Sequence, residues 1–83
     1  MRVCMKRDVH EALRFVYTGD IDGPEATKRA RELGLTTNGG VSKLWEIETT
    51  AGWKIVSHGD LILYRDNRAV GVTRADEVTV IED

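Results

Sequence analysis

Residues 44–73 read LWEIETTAGWKIVSHGDLILYRDNRAVGVT, and they contain both tryptophans of the chain. Period-two alternation and turn residues predict four short strands here, separated by three tight turns. The predicted strands are Leu44–Thr49, Trp53–Val56, Leu61–Tyr64 and Ala69–Thr73. Strands joined by tight turns pair antiparallel, so this segment predicts a four-stranded meander.

The first predicted strand shows which of its faces is buried. Trp45, Ile47 and Thr49 fall on one side, whereas Glu46 and Glu48 fall on the other. Such alternation places the first row against a core and the acidic row in water.

The second predicted strand carries Trp53 and Ile55, which we expect on the core face of the meander. A domain this small needs large side chains for its core. The alternative is that Trp45, Trp53 and Tyr64 stack on a nucleobase, as aromatic platforms do.

The turns have residues suited to them. Gly52 is free to take positive φ in the first turn. Asp60, in the turn 57–60, is expected to accept hydrogen bonds from turn amides, and Asp66-Asn67 forms the third turn.

The segment before the meander is ambiguous between helix and strand. Val9, Ala12, Leu13, Val16 and Tyr17 follow a helical spacing, with Asp8 and Glu11 as a capping pair. Yet residues 12–18 also alternate and include several strand formers. Met1–Met5 is a candidate edge strand.

One helix is predicted over residues 24–33. Pro24 suits its first position and Gly34 suits its end. Its apolar face is narrow and consists of Ala26, Ala30 and Leu33. A loop at residues 36–40 follows this helix, a turn over 74–77 follows the meander, and a closing strand covers residues 78–81.

Together these elements predict one domain over residues 1–83 of the α+β class. It has a small antiparallel sheet or meander of four to six strands, with one helix packed on one face. A net charge of −2 and a pI of about 5.6 disfavour a nucleic-acid-binding regulator. Residues 1–43 carry eight Lys or Arg against six Asp or Glu, and residues 44–83 carry four against eight.

The expected compartment is the cytoplasm. The single cysteine, Cys4, excludes an internal disulfide. No apolar run approaches the roughly 20 residues of a membrane helix, and no signal-peptide core is visible, so we expect no membrane association.

No catalytic or metal-binding motif is present in the sequence. His10, His58 and Cys4 lack the spacing of a zinc site, so we expect no metal and no cofactor. No nucleophile–base pattern appears either, so we expect a protein that is not an enzyme.

Eight residues are candidate contacts to a partner or ligand, through arginine charge, a Gly-rich loop, aromatic rings or polar turn groups. They are Arg29, Asn38, Gly39, Trp45, His58, Asp60, Tyr64 and Arg65. Val78 and Val80 mark a candidate sheet edge, where a second copy would pair to form a homodimer.

The order of motifs resembles a group of small tailed-phage or prophage proteins. Their plan begins with a strand that ends in an aromatic-Thr-Gly turn, here Phe15–Asp20, and continues with a helix. A strand that ends in a T-x-x-G turn follows. The last motif is V-x-x-G-D-x-I, here Val56–Ile62. The resemblance covers residues 12–81, favours the strand over 12–18 and departs from the plan at His58 and Leu61. Dense Val and Thr usage suits an actinobacterial phage.

The resemblance implies an origin first and a function only indirectly. Small acidic phage proteins commonly bind and disable a host factor, so we expect a non-catalytic accessory protein of the host cytoplasm that antagonises a host protein such as a defence system. Two alternatives stay open. One is an oligomeric sponge for a nucleotide signal, and the other is a nucleic-acid-binding regulator.

Overall fold

The computed structural model of the chain describes residues 1–16, 25–37 and 44–82. These ranges contain eight strands, one α-helix and one 3-10 turn. In chain order they are β1 (Arg2–Met5), β2 (Asp8–Arg14), α1 (Glu25–Glu32), β3 (Thr36–Thr37), β4 (Trp45–Thr49), β5 (Gly52–Val56), β6 (Leu61–Arg65), β7 (Arg68–Thr73), the 3-10 turn (Ala75–Glu77) and β8 (Thr79–Glu82). No described helix is long and apolar enough to cross a bilayer.

The strands form two antiparallel sheets. Sheet A has the strand order β7-β6-β2-β1-β8, and sheet B has the order β3-β4-β5. The predicted antiparallel β-structure with a single short helix is confirmed for the described residues. Sheet A has five strands, within the predicted four to six, but the prediction of a single sheet is wrong, and the described residues are mostly β rather than clearly α+β.

The four central strands lie where the sequence predicts them, but they do not form one meander. β4 pairs with β5 in sheet B, whereas β6 pairs with β7 and β2 in sheet A. The reason lies in β6, in which Leu61, Ile62 and Leu63 are all buried. A strand that is apolar on both faces belongs inside a sheet covered on both sides, so β6 takes β2 as its second neighbour.

Two apolar clusters lie on the two faces of sheet A. The larger one joins sheet A, sheet B and the helix, and it contains Phe15, Ala30, Leu33, Leu35, Trp45, Ile47, Val56, Ile62 and Ala69. The smaller one contains Val3, Ala12, Leu61 and Leu63, with Met1, Met5, Val70 and Val78 packed against it. Burial of both faces of sheet A supplies the hydrophobic stabilisation of the fold.

The strand predicted over residues 12–18 is confirmed only for residues 12–14, and the observed strand begins earlier. β2 runs over Asp8–Arg14, so the helical alternative is wrong for residues 8–14, and Tyr17 and Thr18 lie outside the described residues. β1 lies between β2 and β8, so it is not an edge strand. Thr36–Thr37, predicted as loop, pairs with β4 as the short strand β3, and Asn38, Gly39 and Gly40 lie outside the described residues.

Helix α1 ends in a Schellman motif. The Gly34 N–H donates to the Arg31 carbonyl at 3.0 Å, and the Leu35 N–H donates to the Ala30 carbonyl at 3.0 Å. Gly34 adopts φ 108°, a conformation that favours glycine. The predicted stop at Gly34 is confirmed, and Ala30 and Leu33 are buried as predicted, whereas the side chain of Ala26 lies outside what the structure describes.

Replacing Gly34 by alanine is expected to lower the free energy of unfolding by about 1–2 kcal/mol, the cost of a left-handed conformation for a residue with a Cβ. Apart from the glycine and its chain neighbours, no heavy atom lies within 4 Å of the added Cβ, so the expected loss comes from backbone strain and not from a steric clash. Urea denaturation followed by circular dichroism measures the change. Gly71→Ala is the control, because its Cβ meets only Leu63 Cδ1 at 3.9 Å. Equal losses in the two variants would contradict the strain argument.

The predicted turns are confirmed. Asp66 and Asn67 have φ values of 51° and 65°, as a two-residue turn between β6 and β7 requires. Gly52 has φ 104°. The Ser57 N–H donates to Asp60 Oδ2 at 2.9 Å, so Asp60 satisfies a turn amide as expected.

Candidate partner-binding surface

The outer face of sheet B exposes two large apolar side chains. Trp53 is 56% exposed and Ile55 is 59% exposed, so the prediction that both face the core is wrong. The register explains their placement. Trp53 lies opposite Glu48, and Ile55 lies opposite Glu46. Directly opposed residues share one face of a sheet, so both apolar side chains join the acidic row that points to solvent.

We refer to Glu46, Glu48, Trp53 and Ile55 as the β5 face. The sequence could have revealed it, since the hairpin turn sets the register. Thr49 pairs with Gly52 across a two-residue loop, and its Oγ1 accepts a hydrogen bond from the Ala51 N–H at 3.1 Å. With that turn, Trp53 has to lie opposite the outward-pointing Glu48. The missed signal was therefore turn geometry and not composition.

A pocket of about 200 Å³ opens at the end of the β4–β5 hairpin, beside the β5 face. Its lining includes Leu44, Trp45, Ile55, Val56 and His58. Ligand pockets for drug-sized molecules typically measure about 300–1,000 Å³. This pocket therefore suits a single side chain of a partner better than a nucleotide.

Trp45 lies at the boundary between this pocket and the core. It is 8% exposed, and its ring centroid lies 5.7 Å from that of Phe15 at an interplanar angle of 57°. This tilted contact is typical of stabilising aromatic pairs. Of the two uses of Trp45 that the sequence leaves open, core packing is the one the structure shows. His58 is exposed and lines the same pocket.

Arg29 and Tyr64 meet at a second location. The Arg29 guanidinium lies 5.4 Å from the centroid of the Tyr64 ring, donates to Glu32 Oε2 at 3.2 Å and donates to Asn67 Oδ1. These contacts attach the helix to the β6–β7 hairpin. Arg65 is exposed at the end of β6. Of the predicted contact residues, the structure thus brings Arg29 together with Tyr64, and Trp45 together with His58.

The remaining predicted positions are distributed as follows. Asn38 and Gly39 lie outside the described residues. β8 is an edge strand of sheet A as predicted, with Val80 exposed and Val78 packed against the smaller cluster. Pairing of two copies through β8 stays a prediction. Within the described ranges, no group of three or more His, Cys, Asp or Glu residues could hold a metal ion.

Comparisons with models of protein families, with curated proteins and with solved structures found no match to this chain.

Proposed function

We propose that this chain is a non-catalytic binding domain that docks onto a protein partner through its β5 face. The observation that carries the proposal is the exposure of Trp53 and Ile55 side by side on one strand. Tryptophan is among the residues that most often dominate the binding energy of protein interfaces. An exposed tryptophan and isoleucine with acidic neighbours form a small apolar patch with a polar rim, which is the usual anatomy of such an interface.

We further propose that the partner is a host protein and that this chain is a phage or prophage accessory protein that antagonises it. The order of motifs over residues 12–81 supports the origin. Antagonism of a host factor, such as a defence system, requires binding and no chemistry. A patch that binds through apolar and charged contacts is sufficient for that role.

The nucleotide sponge has less support. Arg29 and Tyr64, a candidate phosphate contact and a candidate base contact, lie against each other. Arg29 also donates hydrogen bonds to Glu32 and Asn67. The pocket beside Trp45 is smaller than a typical nucleotide site. A nucleic-acid-binding role has less support still, because Glu46 and Glu48 would repel phosphates next to the exposed indole.

Affinity capture from an actinobacterial lysate tests the proposed function. The bait is the full tagged chain, and the test variant combines Trp53→Ala with Ile55→Ala. We expect a host protein that the parent chain retains and that the test variant retains at least about tenfold less, since hot-spot truncations cost 2 kcal/mol or more.

The control variant combines Val9→Ala with Val80→Ala, two exposed apolar side chains on sheet A. It should retain the host protein as the parent does. Equal retention by the test and control variants would overturn the proposal. A nucleotide released from the heat-denatured parent chain, seen by absorbance and mass spectrometry, would favour the sponge.

A further inference from the structure

We propose that β5 receives an extended segment of the partner protein as an additional strand of sheet B. The segment carries arginine or lysine on its outer side and an acidic residue opposite Lys54. This inference rests on the proposed function, because it names the chemistry of the partner that the β5 face would bind.

β5 is a sheet edge without a register break, and the one protective feature it carries is its central lysine, Lys54. β3 has only two residues. The β1–β8 ladder shifts register between Arg2 and Val3, and the β6–β7 ladder shifts between Leu63 and Tyr64. Short strands and register breaks are common protections of sheet edges. β5 has five residues in unbroken register with β4, and it pairs only with β4 among the described strands.

The backbone of β7 is also partly occupied. The Thr50 N–H donates to the Ala69 carbonyl at 3.2 Å, and Thr50 Oγ1 donates to the Val70 carbonyl at 3.5 Å. The tip of the β4–β5 hairpin therefore contacts the outer edge of sheet A. This contact anchors the hairpin, so β5 is held in place as a sheet edge.

The charges on the β5 face select a basic partner. Neither Glu46 nor Glu48 forms an ion pair with another residue in the described ranges. A strand added to β5 would lie about 4.8 Å beyond it. From there, an arginine side chain can cross the exposed ring of Trp53 in a cation–π contact and direct its guanidinium towards Glu48.

Lys54 argues for a different protein and against a second copy. It is the central residue of β5 and points to the opposite side from Trp53 and Ile55. If two copies of β5 paired antiparallel about their centres, Lys54 would lie opposite Lys54 of the second copy, and like charges directly opposed are destabilising. An acidic residue at that position of a partner strand would instead be attracted.

A synthetic peptide tests the inference. The probe is acetylated and amidated Val-Arg-Glu-Arg-Val, whose palindromic sequence presents the same pattern in parallel and antiparallel orientation. Titration into the isotope-labelled full chain should shift the backbone amide NMR signals of β5 saturably. The same peptide with every backbone nitrogen methylated cannot donate ladder hydrogen bonds in either orientation, so it should produce no such shifts.

Charge exchange provides the specificity control. A second peptide, Val-Arg-Lys-Arg-Val, should bind the parent chain about two- to fivefold more weakly than the first, and this order should reverse for Lys54→Glu. The variant combining Glu46→Gln with Glu48→Gln should bind the first peptide about three- to tenfold more weakly than the parent does.

Three results would overturn the inference. One is equal binding of the N-methylated peptide, which would indicate a ligand lying on the face rather than at the edge. Another is the absence of saturable shifts in β5 up to the solubility limit of the peptide. The third is a set of β5 shifts that depends on protein concentration alone, which would indicate a second copy.

Failure of this inference can be distinguished from failure of the proposed function. If the lysate experiment identifies a partner that depends on Trp53, but the peptide fails, the binding function stands and strand addition does not. If the peptide binds as expected, but no host protein is retained in a way that depends on Trp53, then β5 can accept a strand and the proposed function is wrong.

Discussion

Replacing Trp45 by alanine is expected to lower the free energy of unfolding by about 3–5 kcal/mol, the usual cost of removing a buried tryptophan. A domain of 83 residues typically has a total stability of roughly 4–12 kcal/mol. The substitution should therefore remove at least about a quarter of the total stability, and all of it if the parent lies at the lower end of this range. The physical reason is the loss of its contact with Phe15 and of its place in the larger apolar cluster.

The control is the other tryptophan of the chain. Trp53→Ala should change the free energy of unfolding by less than about 1 kcal/mol, because more than half of the side chain already contacts water. Guanidinium denaturation monitored by far-UV circular dichroism measures both variants on one scale. If Trp45→Ala lost little stability and Trp53→Ala lost much, the burial assigned to the two indoles would be contradicted.

Replacing Ile62 by alanine is expected to cost about 2–5 kcal/mol. Ile62 is fully buried on β6, a central strand of sheet A, and it belongs to the cluster that joins this sheet to the helix and to sheet B. The cavity left by the substitution would lie where three elements meet, so the surroundings have little freedom to collapse. In a domain of this size, the midpoint of thermal unfolding should fall by more than about 8 °C.

Ile81→Ala is the matched control for Ile62, because the same atoms are removed from a side chain that is 52% exposed. Its free energy of unfolding should stay within about 0.5 kcal/mol of that of the parent. Differential scanning calorimetry on the three proteins gives the comparison. Similar melting temperatures for the two variants would mean that Ile62 is not a core residue.

Local features of the fold could be predicted from the sequence because they depend on a few neighbouring residues. The helix end depends on Gly34, and the β6–β7 turn depends on Asp66-Asn67. The burial of Trp45, Ile47 and Thr49 follows from alternation within one strand. Each of these features is set within a window of a few residues, where propensity and periodicity act.

Features that depend on distant residues could not be predicted in the same way. The two-sheet arrangement follows from the pairing of β6 with β2, and nothing near Leu61–Leu63 specifies that partner. The β5 face was missed for a different reason, because the hairpin turn between β4 and β5 sets its register locally. A large apolar side chain on a strand is compatible with a core or with an interface, and only the register to β4 separates the two.

The pairing of β2 with β6 also has a kinetic consequence. Ala12 lies opposite Leu63, a separation of 63 − 12 = 51 residues, whereas β4–β5 and β6–β7 are joined by tight turns. Hairpins form in about 1–10 μs, but closure of a long loop has to precede any contact between β2 and β6. The rate of folding should thus be set by this closure, on the millisecond-to-second timescale of non-local β topologies. Until then, preformed hairpins would expose the apolar edge of β6 that β2 covers in the native state.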